Sequence, residues 1–194
     1  MGNSELVTAM LEGDWNIPSG QMFSDVMDPA KNLLSDFRLP EHWKLKRGFD
    51  FGYSAPFSVL WYAIADDTPC TIDGKQKTFK PGTIIIADEL YGCKANKPAE
   101  GLRWSASDIA KSIVEKERHF DRTVIPGPAD NSIFDGDQKI AEEMSVHNVN
   151  WTRSNKAPGS RKIGWQQIRN KFGAMIPEHQ EEAGLVIMNR CQHL

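Results

Sequence analysis

The stretch from Arg47 to Trp61, RGFDFGYSAPFSVLW, reads as an apolar β-strand, a tight turn and a second strand, with one carboxylate, Asp50, set inside it. A carboxylate buried in a sheet without a partner costs several kcal/mol or surrenders its charge, so a metal ion or a cationic partner is expected beside Asp50. Strand alternation turns Phe49 and Phe51 to the face opposite Asp50. Gly52 lets the backbone turn closely, and Pro56 restarts the chain into the run Phe57, Val59, Leu60, Trp61 and Tyr62.

Working outward, three strands are expected at 46–53, 56–65 and 83–87, joined by Asp66-Asp67 and the polar segment 71–80, which suggests an antiparallel meander. Ser105 with Asp108 resembles a capping box that uses Asp, and Ile109, Ile113, Val114 and Phe120 give the helix that follows an apolar stripe. Arg122 to Pro126 reads as a fourth, internal strand whose end delivers Asp130. A helix over 136–146 with Ile140, Met144 and Val146 inward, a short strand over 149–151 and a helix over 163–172 complete the order β-β-β-α-β-α-β-α, a mixed α/β sheet with helices on its faces. Ahead of this, residues 1–45 read as a lead-in with a short helix over 4–11, and 46–194 as the folded domain.

With 194 residues and 40% hydrophobic content the chain is long enough for one well-filled core. A net charge of -3 argues against a generally basic nucleic-acid binder, so contact with phosphates has to come from a local patch. Three cysteines at wide spacing, Cys70, Cys93 and Cys191, with no CxxC pair, disfavour a disulfide framework and a structural zinc site and fit a reducing cytoplasm. The five histidines show no HxH or HExxH spacing. No apolar run approaches the ~18 residues of a membrane span, and residues 1–30 lack the order of a signal peptide.

Asp50, Glu89 and Asp130 each fall at or just past the end of an expected strand. Hard divalent cations take oxygen ligands, and clustered carboxylates holding two of them suit hydrolysis of a phosphodiester. Acids also end strands simply as solvated turn formers, which is the commoner role for Asp88 and Glu89 taken alone.

Together, GFDFGYSAPFSVLWYA, IIIADELYG, GPADNSIFD and VNWTRSNKAPGSRKIGWQQIR resemble the nuclease domain of the large terminase subunit of tailed bacteriophages and prophages. The opening LEGDWNIPSGQMF is similar to the segment that joins the motor domain of such proteins to the nuclease. The resemblance implies an RNase H-like fold and a metal-dependent endonuclease, with Mg²⁺ or Mn²⁺ as cofactor in a two-ion site, that cuts concatemeric viral DNA during packaging in the host cytoplasm. It implies double-stranded DNA as substrate, and a portal protein and small terminase subunit as partners. By position, Asp50 and Asp130 would be metal ligands on the first and fourth strands, and Glu89 the acid after the third, with Asp88 its weaker neighbour.

The chain departs from that family twice. Nothing in it resembles a Walker A loop, so a packaging motor is not expected within it. The family also supplies a late acid from an acidic segment near its C-terminus, whereas this chain stops at NRCQHL, so the resemblance implies a truncated domain whose cleavage is slow, Mn²⁺-dependent or lost. The alternative function is therefore a catalytically weak or inactive DNA-binding remnant.

Arg153, Lys156, Arg161, Lys162, Arg169 and Lys171 form a basic segment, of which Arg153, Lys156, Arg161 and Lys162 are candidates to hold DNA phosphates; Trp165, Ile168 and Phe172 read as core. DFGYS also satisfies the D-x-G-x-S of the first phosphate-binding turn of actin-like sugar kinases, but no second glycine-rich turn follows. The DFG of protein kinases is matched without an HRD loop.

Overall fold

The computed structural model describes residues 23, 25–136, 139–175 and 182–193. The helix expected over 4–11 lies outside them. Strands β1 (Leu33–Leu34), β2 (Leu45–Asp50), β3 (Ser58–Ile64), β6 (Ile84–Tyr91), β9 (Val124–Ile125), β10 (Pro128–Ala129), β11 (Thr152–Arg153) and β12 (Leu185–Met188) form one sheet; β4 (Cys70–Ile72) with β5 (Lys75–Lys77), and β7 (Cys93–Lys94) with β8 (Lys97–Gly101), form separate hairpins. The helices are α1 (Pro29–Asn32), α2 (Ala106–Glu117), α3 (Ser132–Asp135), α4 (Ile140–Ser145) and α5 (Ser160–Gly173).

The sheet runs in the order β1-β12-β6-β3-β2-β10-β11, with β9 also beside β2. The expected meander is present, since β3 runs antiparallel to both β2 and β6. Parallel strands extend it on both sides: β10 and β11 beyond β2, and β12 and β1 beyond β6.

The strand expected at 122–126 is split into β9 and β10, because Pro126 has no N–H for the ladder and Gly127 brings its backbone against β2. A Cβ at Gly127 would collide with the carbonyl oxygen of Arg47, so the approach requires glycine. The strand expected at 149–151 forms at 152–153, where Thr152 and Arg153 align with Pro128 and Ala129.

Alternation sorts the strands onto two faces. Val59, Trp61 and Ala63 are fully buried on one face beneath α2, with Ile109, Ala110 and Ile113 of the helix against them. Ser105 caps α2 as its composition suggests: its hydroxyl accepts from the Asp108 N–H at 3.1 Å and donates to the Asp108 carboxylate at 2.7 Å. Ile86, Leu185 and Ile187 form a second, smaller cluster on the other face with Phe172 of α5, and Leu60 and Tyr62 pack against it. Of the three residues of α5 expected as core, Phe172 is buried, Trp165 is half-buried and Ile168 is exposed, so among them Phe172 alone is fully in the core. In α4, Ile140 and Met144 point inward as expected while Val146, just past its end, is exposed.

The described part of the lead-in is woven into the domain. Leu33 and Leu34 pair with Ile187 and Met188, Trp43 is buried in the main core, and the Arg122 guanidinium donates to the carbonyls of Leu39, Pro40 and Trp43. No helix among the described residues is long and apolar enough to cross a membrane. All three cysteines are free, Cys70 and Cys191 buried and Cys93 half-buried.

Candidate active site

Asp50 ends β2 with its side chain at the surface and only partly withdrawn from water, which corrects the expectation of a fully buried carboxylate. The buried charge of the opening stretch is Arg47, which alternation puts with Leu45 and Phe49 on the α2 face. Its guanidinium grips both oxygens of Glu117 at 2.8 and 2.9 Å, donates to the Asn150 carbonyl at 3.1 Å and lies over the Trp151 ring. Glu117 also accepts from the Trp61 indole at 2.8 Å. Trp151 in turn stacks on Phe49, with centroids 4.9 Å apart. This network fixes β2 against the segment leading into β11, and so sets where the residues after both strands emerge.

Asp50 and Asp130 emerge there together. Phe49 is the partner of Ala129, so the residues that follow them end adjacent parallel strands on the same face of the sheet. The loss of water around Asp50 and the charge of Asp130 push the Asp50 carboxyl above its ordinary value, with Lys156 working in the opposite direction. Asp130 moves the other way, down to about 2, because Lys156 and the Ser132 amide donate to it. The Lys156 ammonium spans both oxygens of Asp130, 2.9 Å from Oδ1 and 2.7 Å from Oδ2, and the Ser132 N–H donates to Oδ1 at 2.8 Å. Pairing between β10 and β11 explains the reach, since it carries the loop that follows β11 directly past Asp130.

Glu89 shares that face. In the β3–β6 ladder Tyr62 meets Ile86 and Trp61 meets Asp88, so Ala87 is an extra residue and the bulge exchanges the faces of the acids beyond it. Glu89 opposes Leu60, which opposes Gly48, two residues before Asp50. It stands two strands away from Asp50 and further from the strand ends, and its carboxylate accepts from the His193 backbone N–H at 2.8 Å with the His193 imidazole at 2.9 Å. The same imidazole stacks on Tyr91. Asp88 faces α2 and is paired with Lys116 at 2.9 Å.

Asp50 and Asp130 are thus brought together and Glu89 is not; among the described residues no three side chains of the metal-ligating types form one group. The basic candidates differ as well. Arg153 forms a bidentate pair with Asp135, 2.7 Å in each arm, and lies over Phe134. Arg161 and Lys162 are exposed in the first turn of α5. Sequence reasoning does not single out His193, which lacks any metal-ligand spacing, or Arg47, which strand alternation alone could have put on the buried face.

No sequence-family model matches the chain, and no curated protein matches it in sequence. Solved structures do resemble its fold. The large terminase from a thermophilic bacteriophage superimposes with a TM-score of 0.56 at 11% identity over 88% of this chain. The P22 large terminase nuclease domain does so with a TM-score of 0.57 at 12% identity over 90% of this chain and 75% of its own. This chain has the fold of a terminase nuclease domain. It spans about a third, 34%, of the thermophilic phage's large terminase, and at such identities the likeness carries the RNase H-like fold alone. In this chain β2, β3 and β6 make the antiparallel meander, β9 and β10 the interrupted parallel strand beside β2, and β11 the next, so Asp50 and Asp130 stand at the ends of two adjacent parallel strands.

Proposed function

We propose that the chain is a divalent-metal-dependent DNA endonuclease domain of a large terminase, cutting concatemeric viral DNA during packaging, with Asp50 and Asp130 as its first metal ligands. The observation that carries the reading is the convergence of these two carboxylates at the ends of adjacent parallel strands, with a cation, Lys156, already drawn onto both oxygens of Asp130. The donor set fits Mg²⁺ or Mn²⁺, which take carboxylate oxygens, and both the loss of water that chiefly raises Asp50 and the repulsion by Asp130 that adds to it are offset by a bound dication.

A divalent cation there would supply positive charge to the scissile phosphate and lower the pKa of a water molecule. The chain's own residues do the rest. Asp50 and Asp130 would hold the charge at the ends of β2 and β10. Lys156, Arg161 and Lys162 lie along the loop and first turn that follow β11, where they would bind backbone phosphates without reading bases. Arg153, pinned to Asp135, shapes this wall before it contacts DNA. Glu89, two strands away and with Oε1 held by His193, would complete the cluster only after its side chain shifts toward Asp50. Portal and small-terminase partners, and the host cytoplasm as the place of action, belong to the same proposal.

A second reading, a DNA-binding domain that does not cut, is favoured by one feature, the engagement of Glu89 by His193. Nicking of supercoiled plasmid with Mn²⁺ and with Mg²⁺, comparing the wild type with Asp50→Ala and Asp130→Ala, separates the two. Metal-dependent nicking lost in both variants supports the nuclease. Binding without nicking by folded wild-type protein supports the second reading.

A further inference from the structure

The Lys156–Asp130 contact lies in the open: their side chains keep 49% and 35% of their exposure. Lys156 stands in the loop between β11 and α5, which is tied to the sheet upstream, where the Ser154 N–H donates to the Ala129 carbonyl at 3.1 Å. Downstream it closes on itself, with the Ala157 N–H donating to the Asn155 side chain and the Ser160 N–H to the Ala157 carbonyl. The ammonium is carried on a long flexible stem whose anchor, at Ser154, stays put when the head leaves.

Both Asp130 oxygens are covered by that ammonium, and a dication bound to the same carboxylate would be repelled by it at contact distance. We propose that Lys156 is an exchangeable counter-ion: a divalent cation entering between Asp50 and Asp130 displaces its ammonium, which then takes a DNA backbone phosphate, so that cation and DNA binding are coupled through this one side chain. The proposal rests on the reading of Asp50 and Asp130 as a cation site. It makes the site self-neutralising while empty and adds a positive charge to the DNA-facing wall only when the dication is in place. The strand-end Asp is the fixed element and the lysine the moving one.

Removal of this lysine should therefore strengthen one binding event and weaken the other. Titration calorimetry with Mn²⁺ alone, without DNA, is expected to show Lys156→Met binding the ion about fivefold more tightly than the wild type, the equivalent of ~1 kcal/mol for an exposed ion pair. Fluorescence anisotropy with a labelled duplex, in Ca²⁺ against EDTA at matched ionic strength, is expected to show the wild type gaining DNA affinity with the ion and Lys156→Met gaining none. Lys156→Arg, which keeps the charge, should restore the gain.

Equal or weaker Mn²⁺ binding by Lys156→Met overturns the counter-ion role, as does a Ca²⁺ gain in Lys156→Met equal to that of the wild type. If the wild type and Asp130→Asn bind Mn²⁺ alike, or neither binds it, the cation site itself is wrong and the proposal falls with it. Circular dichroism of each variant confirms that the comparison is made between folded proteins.

Discussion

The two faces of one sheet handle a charged pair in opposite ways. Beneath α2, Arg47 and Glu117 keep only 4% and 18% of their side-chain exposure and are locked by Asn150, Trp61 and Trp151. At the strand ends of the other face, Lys156 and Asp130 make contacts just as short while remaining in water. A sealed pair has no alternative partner, so it fixes geometry; an exposed pair contributes little to stability and can be exchanged. The buried pair therefore holds the frame from which the acids emerge, and the exposed pair is the one on which the proposed function draws.

The sharpest way to break this comparison is Arg47→Ala. It leaves Glu117 without its guanidinium in the core and should cost about 3–5 kcal/mol in urea unfolding. A loss below ~1 kcal/mol would mean that the two pairs are alike after all.

Next comes Gly52→Ala, in the turn after Asp50. The added Cβ would collide with the carbonyl oxygens of Pro56 and Ala55, contacts that only a backbone shift can relieve. A cost of about 1–3 kcal/mol is expected, with plasmid nicking reduced by more than the loss of folded protein explains, since the shift begins two residues from Asp50.

Asp66 provides an intermediate case, an acid at the surface with several donors: the Trp43 indole and Thr68 amide at 2.8 Å each, and the His42 ring at 2.6 Å. These hold its carboxyl well below the ordinary value of 3.8, the Thr68 contacts foremost. A depressed folded-state pKa gives stabilisation that is complete above the unfolded value and is lost as the pH falls below it. Melting temperatures of Asp66→Asn should therefore fall less steeply than those of the wild type between about pH 4 and pH 2; parallel curves would count against the network. The smallest effect belongs to Lys156→Met, whose unfolding free energy should stay within ~1 kcal/mol of the wild type.

Much of this is legible in the residues. The meander, the α2 cap at Ser105 and the emergence of Asp50 and Asp130 at strand ends follow from alternation, capping chemistry and turn formers, all of which are local. What the sequence conceals depends on distant partners. Leu185–Met188 reads as a short apolar run, and only its insertion between β1 and β6 makes it a strand. The hairpins at 70–77 and 93–101 are polar and short, so their periodicity is faint. Ala87 gives no sign of a bulge, yet that one residue decides that Glu89 lies on the Asp50 side of the sheet and Asp88 faces α2. Asp50 reads as buried because its neighbours are apolar; its place at the very end of β2 exposes it, and Arg47 three residues earlier is the charge that needs the partner.

The most direct test is anomalous scattering from crystals of the wild-type protein soaked in Mn²⁺. A manganese peak within coordination distance of both Asp50 and Asp130, with the Lys156 ammonium moved off Asp130, is the predicted result. No peak at that pair, or manganese held elsewhere while Lys156 stays on Asp130, would contradict it.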